Sequence, residues 1–406
     1  PLNWKCPTRS FVPRGYNPSI IRAPSGLCSA CVYLLSVRAD AFNQCDAAGA
    51  TSAGFVGTAI ALLDPQLRVL TWSWLRWRSR ETGRDEEMLP PWKDLRLLRV
   101  DDSKRVLASY SCPDCSPNVR VAEVRVALQR TSRAWEFSAW AHHEHPLMMG
   151  KEPWVRGSSQ VVWMHQPRPS TGRLRSFGAP APVVMVQPSL KPALIATFGP
   201  VDQKNLWRDA KLYPKLYSSH PRKLPLVCND SVPEFEELDV HVSPTANLIA
   251  VQHQGCDIYL GVGHLHRGAA DDDQAAWETA AAGYGPLPTN KTFRWGSSYT
   301  HFFYAMEHYH PFRMLATSGE FCLSSEQDGA DCESIQYVSG ITSWSSPTRS
   351  ANMMTRTEGV VLAYGLNDCE TRVAKLSLER IWQMLRPLKA AASIAGGPCS
   401  FNNSLT

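Results

Sequence analysis

The stretch from Asp257 to Leu385 constrains the fold more than any other part of the chain. It contains Asp257-Ile258-Tyr259-Leu260-Gly261-Val262-Gly263-His264-Leu265-His266-Arg267 and then Tyr299-Thr300-His301-Phe302-Phe303-Tyr304. Ile335-Gln336-Tyr337-Val338-Ser339-Gly340 and Val360-Val361-Leu362-Ala363-Tyr364-Gly365-Leu366-Asn367-Asp368 follow. Each piece is a short apolar or aromatic run ending in glycine or a polar side chain, the pattern of a strand that delivers His, Asn or Asp to its end. Repeated deliveries with no helical period between them point to a radially repeated all-β architecture whose strand ends converge on one site. A sandwich also has short strands, but it has no need of so many polar groups at their ends.

The chain's 406 residues allow two or three domains by length, or one large propeller. Fourteen Trp, thirty Pro and twenty-five Gly spread along it suit many short strands joined by turns. The 42 basic and 37 acidic residues give a net charge of only +5, and no Lys/Arg run carries interleaved aromatics. That excludes the electrostatic footprint of a nucleic-acid binder. No apolar run approaches the ~18 residues of a membrane span. The sequence starts at Pro1 rather than Met, so a signal or membrane anchor is expected upstream as an option.

Twelve cysteines, with N-glycosylation acceptors at Asn229, Asn290 and Asn402, point to a disulfide-bonded glycoprotein of the secretory pathway, in the Golgi lumen or secreted. Cys28-Ser29-Ala30-Cys31 and Cys112-Pro113-Asp114-Cys115 have CxxC spacing. They lie too far apart for a shared zinc, and a turn rather than a helix follows the second, so both read as loop disulfides. His142, His143 and His145 cluster in what reads as a polar loop over residues 141–153, without a carboxylate at metal-fixing spacing, so no metal is assigned.

Along the chain, strands are expected at Tyr16–Ile21 and Val32–Arg38, across a turn holding Pro24 and Gly26, and at Val69–Arg78 and Trp92–Val100. Trp72 and Trp74 read as core packing more readily than as sugar platforms. In Trp92–Val100, Asp94 and Arg96 stand two residues apart on one strand face, each able to orient the other; the alternative is a surface ion pair. Further strands are expected at Val161–Gln166 and Val183–Gln187, with an exposed loop at Pro167–Pro182. Lys204 and Asn205, then His220 and Arg222, end runs whose cation and amide groups suit phosphate or sugar hydroxyls. A short helix from Leu378 to Leu385, capped by Ser377, closes the pattern.

Taken in order, Asn17 before a strand ending at Arg38, Asp94-x-Arg96, Lys204-Asn205, Gly263-His264, Val338-Ser339-Gly340 and Ala363 to Asp368 leading to Ser377-Leu378-Glu379-Arg380 resemble a known family. It is that of the inverting β-mannoside phosphorylases and related β-1,2-mannosyltransferases, built on a five-bladed β-propeller. The resemblance implies one catalytic propeller over residues 1–389, a tail over 390–406, and a central funnel where a glycosyl unit moves with inversion. Asp94 matches the catalytic carboxylic acid, and Lys204 and His264 match phosphate-gripping positions. Arg96 shares the Asp94 motif, and Asp368 matches an aspartate holding sugar hydroxyls. Asn17, Arg38 and Asn205 are similar to sugar-site or phosphate-site residues. Lys204 stands where the phosphorylases commonly have Arg, which removes bidentate phosphate geometry.

Tyr299, His301 and Tyr364 complete the candidate substrate-binding set with His220 and Arg222. The expected activity is inverting glycosyl transfer from a nucleotide sugar or sugar phosphate to a glycan or glycoprotein acceptor, with no cofactor. A glycoside phosphorylase or hydrolase, and a noncatalytic carbohydrate-binding propeller, stand beside it as alternatives.

Overall fold

The computed structural model describes residues 14–40, 55–78, 85–86, 93–99, 106–111, 119–130, 135–146, 148–149, 152–153, 162–165, 183–190, 193–200, 215–218, 241–267, 298–308, 314–323, 335–345, 357–367 and 370–387. They are all-β apart from one short helix. The first sheet is an antiparallel meander of β1 (Arg14–Arg22), β2 (Tyr33–Asp40), β3 (Phe55–Leu63) and β4 (Val69–Arg78). β5 (Asp85–Glu86) turns back on the end of β4. A second meander follows in β6 (Lys93–Arg99), β7 (Val106–Ser111), β8 (Val119–Arg130) and β9 (Trp135–Pro146). Parallel pairing of Leu75–Trp77 with Ala139–Ala141 joins the two at their outer strands, and β6 lies beside β1 at their inner strands. These eight main strands make a nearly closed, barrel-like path.

After the short pair β10 (Met148–Met149) and β11 (Glu152–Pro153) comes a third meander, β12 (Val162–His165), β13 (Val183–Leu190), β14 (Ala193–Pro200) and β15 (Lys215–Ser218). In the fourth sheet, β16 (His241–Pro244) and β17 (Ile249–His253) both pair with β18 (Cys256–Arg267), which continues to β19 (Ser298–Glu307) and β20 (Met314–Ser318). The fifth is β21 (Gln336–Trp344), β22 (Gly359–Leu366) and β23 (Glu370–Ser377). Helix α1 (Leu378–Met384) and β24 (Leu385–Pro387) then return the chain to the edge of β20 in the fourth sheet.

The sheets meet face to face because their middle strands are apolar on both sides. In β2, Leu34 joins a cluster with Leu95, Leu97, Val106 and Tyr110 of the second sheet. Its neighbours Tyr33, Leu35 and Val37 point the other way, against Val361 and Ala363 of β22. β22 repeats the device, sending Val360, Leu362 and Leu366 into a cluster with Ile258, Leu260 and Val262 of β18. A fully buried side chain of this size contributes roughly 1.5–3 kcal/mol, so a strand buried on both faces ties two interfaces at once. Continuous apolar runs rather than alternation are the sequence mark of such strands.

Buried polar groups serve the backbone between sheets. The Ser19 hydroxyl accepts from the Leu97 N–H at 2.9 Å, Ser36 donates to the Leu95 carbonyl at 3.3 Å, and the Asn247 amide donates to the Leu97 carbonyl at 2.5 Å. Without these partners the free edge of β6 would bury unsatisfied amides. The Thr371 hydroxyl likewise donates to the Gly15 carbonyl at 2.8 Å, tying β23 to β1.

The expected strands at Tyr16–Ile21, Val32–Arg38, Val69–Arg78 and Trp92–Val100 fall within β1, β2, β4 and β6, allowing for one residue at the ends. Gly26 supplies the turn before β2 with φ 78°. Ser377 caps α1, its hydroxyl accepting from the Arg380 N–H at 3.2 Å. Trp72 and Trp74 pack edge to face, 5.5 Å apart, against the cluster between the first and fifth sheets. The polar loop expected over 141–153 is a correction: residues 141–146 are the end of β9, held by their pairing with β8, and four more residues form β10 and β11. Cross-strand pairing overrides the low strand propensity of a His-rich run. Pro167–Pro182, the three glycosylation acceptors, Cys112, Cys115 and the 390–406 tail lie outside the described residues. Cys28 and Cys31 form a disulfide, and Cys256 and Cys322 are disulfide-bonded too. No helix among the described residues is long and apolar enough to cross a membrane.

Gly340 marks the closest approach between the fifth and first sheets, since a Cβ there would stand 2.6 Å from the Ile20 backbone nitrogen and 3.1 Å from its side chain. Gly340→Ala is expected to destabilise the protein by about 1–3 kcal/mol through overpacking, read as a lowered urea midpoint at constant slope. An unchanged midpoint would show that β21 and β1 do not pack this closely.

Candidate functional site

Three β-bulges meet where β1, β6 and β21 approach one another. Register breaks between Tyr16 and Ser19 in β1, between Lys93 and Arg96 in β6, and between Val338 and Gly340 in β21. Two of the bulges hold a left-handed residue, Asn17 at φ 46° and Asp94 at φ 56°. Asn and Asp tolerate that conformation better than other non-glycine residues, and a bulge re-aims the side chain it carries. Here both are turned toward each other, and the Asn17 amide donates to Asp94 Oδ1 at 2.6 Å. The backbone nitrogen of Asn17 in turn lies against Gly365 of β22, where a Cβ would come within 3.0 Å.

Arg38, at the end of β2, approaches the same oxygen, with its Nη1 3.9 Å from Asp94 Oδ1, and its guanidinium lies 4.8 Å from the Tyr16 ring centroid. The Asp94 side chain remains 26% exposed and Arg38 15%, so the carboxylate is held by Asn17 and Arg38 while still reachable from solvent. That is the arrangement a proton-handling group requires.

Arg96 goes elsewhere. Direct mutual orientation of Asp94 and Arg96 was the expectation, and the bulge between them overturns it. Arg96 is 1% exposed, and its Nη1 donates to the Ser339 carbonyl at 2.8 Å. Its Nε and Nη2 have no hydrogen-bond partner among the described residues. Its guanidinium lies 5.2 Å from the Tyr337 ring centroid, and the buried Tyr337 hydroxyl also has no partner among those residues. Burial raises the Tyr337 pKa well above the usual phenol range, only partly offset by the Arg96 charge, so this hydroxyl stays protonated and can donate. A buried cation with a phenol beside it forms a donor cluster suited to an oxyanion.

An aromatic group borders this cluster. The His264 ring lies 5.4 Å from Tyr337 and 5.7 Å from Tyr299, and Tyr299 meets Tyr337 edge-on at 6.2 Å. His301, directly across the strand pair from His264, is fully buried, and its Nε2 accepts from the Val338 N–H at 3.0 Å. Tyr364 sits in the apolar cluster between the fourth and fifth sheets, 7% exposed. Asn367 at φ 49° closes the end of β22, its Oδ1 accepting from the Ile335 N–H at 2.8 Å. The structure thus gathers Asn17, Arg38 and Asp94 into one group and links Arg96 to His264 and Tyr299 through Tyr337. Lys204, Asn205, His220, Arg222 and Asp368 lie outside the described residues. Sequence reasoning missed Tyr337 and Ser339. The signal for them was their place in a strand carrying its own bulge, which no periodicity reveals.

A second charged group lies on the second sheet, on the face turned from the first. Glu123 is 7% exposed and takes an Arg125 Nε contact at 3.1 Å and His142 Nε2 at 3.6 Å. Burial opposes its charge, but the hydrogen bonds and charges of His142 and Arg125 outweigh that and bring its pKa from 4.5 to about 2. A depressed carboxylate pKa stabilises the fold fully above the unfolded value, and the contribution disappears as pH falls from about 4.5 through about 2. Glu123→Gln is therefore expected to flatten the loss of stability across that acid window. Urea denaturation of both proteins at several pH values checks it, and parallel acid limbs would refute the assignment.

No protein-family model matches the chain, and no curated protein matches it significantly.

Proposed function

We propose that the chain is an inverting glycosyl-transfer enzyme acting on a phosphate-bearing sugar donor, with Asp94 as its proton-handling group. The observation that carries this reading is the pairing of two features through Tyr337. One is a partly exposed carboxylate held by Asn17; the other is a buried guanidinium beside a protonated phenol. A single carboxyl beside a cation suits displacement of, or attack by, phosphate rather than water, which would call for a second carboxyl. The resemblance to β-mannoside phosphorylases and β-1,2-mannosyltransferases supports the same assignment, as does the succession of antiparallel meanders. We read these meanders as blades of a five-bladed propeller: the first lies beside the second and the fifth, the fifth beside the fourth, and β13 beside β16.

In the transfer direction an acceptor hydroxyl attacks the anomeric carbon from the face opposite the phosphate. The new glycosidic C–O bond forms as the C–O bond to phosphate breaks, and the electron pair leaves with the phosphate. The Asp94 carboxylate takes the hydroxyl proton, while Asn17 and Arg38 stabilise its charge. Arg96 and Tyr337 donate to the leaving phosphate oxygens. Run backwards, the steps are those of a phosphorylase, with Asp94 as acid. Lys204, Asn205, His220, Arg222 and His264 add donor contacts in this reading, and Asp368 holds sugar hydroxyls. The His264, Tyr299 and Tyr337 rings offer a face to the sugar.

A panel of nucleotide sugars and sugar phosphates, scored by released nucleotide or phosphate, identifies the donor. Against that donor, Asp94→Asn should lower kcat by about a hundred- to ten-thousandfold, whereas Arg96→Met should chiefly raise the donor KM. Full activity in Asp94→Asn would remove Asp94 from the mechanism, and saccharide binding without turnover of any donor would favour a binding module. The secretory assignment rests on the twelve cysteines, and thiol titration of the denatured, unreduced chain should find few free thiols. A titre of about eight or more would sink it.

A further inference from the structure

We propose that His301 is a positioning residue: its Nε2 lone pair fixes the Val338 N–H, and with it the Ser339 bulge whose carbonyl aims the Arg96 guanidinium. A bulge leaves ladder groups of its strand without their regular partners, and in a buried strand each must find another. Val338 is fully buried, and its N–H is satisfied by an imidazole nitrogen of the fourth sheet rather than by a backbone carbonyl. One residue on, the Ser339 carbonyl receives Arg96 Nη1 at 2.8 Å, and the Ser339 hydroxyl donates to the Pro18 carbonyl, beside Asn17. Gly340 then lies flat against the Ile20 amide. Residues 338–340 thus receive a contact from β19, one from β6 and two from β1. The His301 bond sets the end from which the other three are measured.

The imidazole has to be neutral for this. An acceptor at Nε2 places the ring hydrogen on Nδ1, and a protonated ring would turn an N–H toward the Val338 N–H. Complete burial disfavours the charged form, and the pKa is pushed down to about 3. The Nδ1 side is buried with no hydrogen-bond partner among the described residues, and the Phe321 ring lies 5.9 Å away. His301 therefore acts through the backbone and Arg96 and does not touch substrate, which is why it is a positioning residue and not a catalytic one.

The inference rests on reading Arg96 as the anion grip, so its test separates the two. Histidine nitrogen correlation spectra of the ¹⁵N-labelled protein should show His301 with a bare Nε2 and a protonated Nδ1 across roughly pH 5 to 9. The Arg96 Nε–H resonance reports its orientation with no ligand added. His301→Gln, whose amide oxygen reaches the place of Nε2, should keep that resonance and the donor KM. His301→Leu, of similar bulk without an acceptor, should shift the resonance and raise the donor KM by about five- to a hundredfold, the effect of one lost buried hydrogen bond, with a smaller change in kcat. A proton on Nε2, or an unmoved Arg96 resonance in folded His301→Leu, overturns the positioning role. If the wild-type protein turns over no phosphate-bearing donor, the glycosyl-transfer reading falls, and the two resonances still decide the role of His301. Should His301→Leu fail to fold, the tautomer and the behaviour of His301→Gln decide it.

Discussion

Everything at the site depends on strands that approach too closely to remain regular. Where β1, β6 and β21 come together, each gives up one step of its ladder, and the freed backbone groups are taken by side chains from a neighbouring sheet. A regular strand would send Asp94 and Arg96 to the same side. The bulge instead divides their tasks, giving the carboxylate an amide partner and a view of solvent while burying the guanidinium against a carbonyl and an aromatic face. The left-handed backbone at Asn17 and Asp94 is unfavourable by itself, and strain of this kind persists only where the surroundings over-determine it. Those surroundings are the buried serines, Asn247 and the two bare glycine faces at 340 and 365.

The strands were legible because burial on both faces writes a continuous apolar run, and Leu34-Leu35 or Val360-Val361-Leu362 admits few other readings. The closing helix was legible from the same physics at a different period, with Ser377 as its start. The His-rich end of β9 was not, because its conformation is decided by β8 across the pair and not by its own side chains. At the site, the family resemblance names Asn17, Arg38, Asp94 and Arg96, but not their partners. Nothing local to Asp94 says that residue 17 supplies its hydrogen bond, and nothing local to Arg96 points to residue 339. Those pairings follow from which sheets become neighbours, which one sequence does not encode at short range.

The contrast between the two charged groups shows how placement divides their roles. Glu123 is buried beside His142, with the exposed Arg125 at its rim, and its lowered pKa makes it a contributor to stability. Arg96 is more deeply buried, and among the described residues its Nε and Nη2 lack the partners that Glu123 has, a state that is costly in a folded protein.

The contact between β23 and β1 carries a consequence for how the molecule is made. The Thr371 hydroxyl reaches the Gly15 carbonyl, Lys375 reaches the Pro65 carbonyl, and β24 adds itself to β20 only after α1 has turned the chain. The first two of these contacts join the last sheet to the first, with most of the described sequence between them. The entropy of closing so long a loop must be lost before the contact forms, which slows assembly in proteins dominated by non-local pairing. On a ribosome the first sheet emerges long before the strand that covers its Leu35 and Val37 face exists. The nascent chain must keep that apolar surface from other partners until β22 arrives, so the partners of Asp94 in β1 and β2 are made early while the contacts of β1 with β21 and β22 come last.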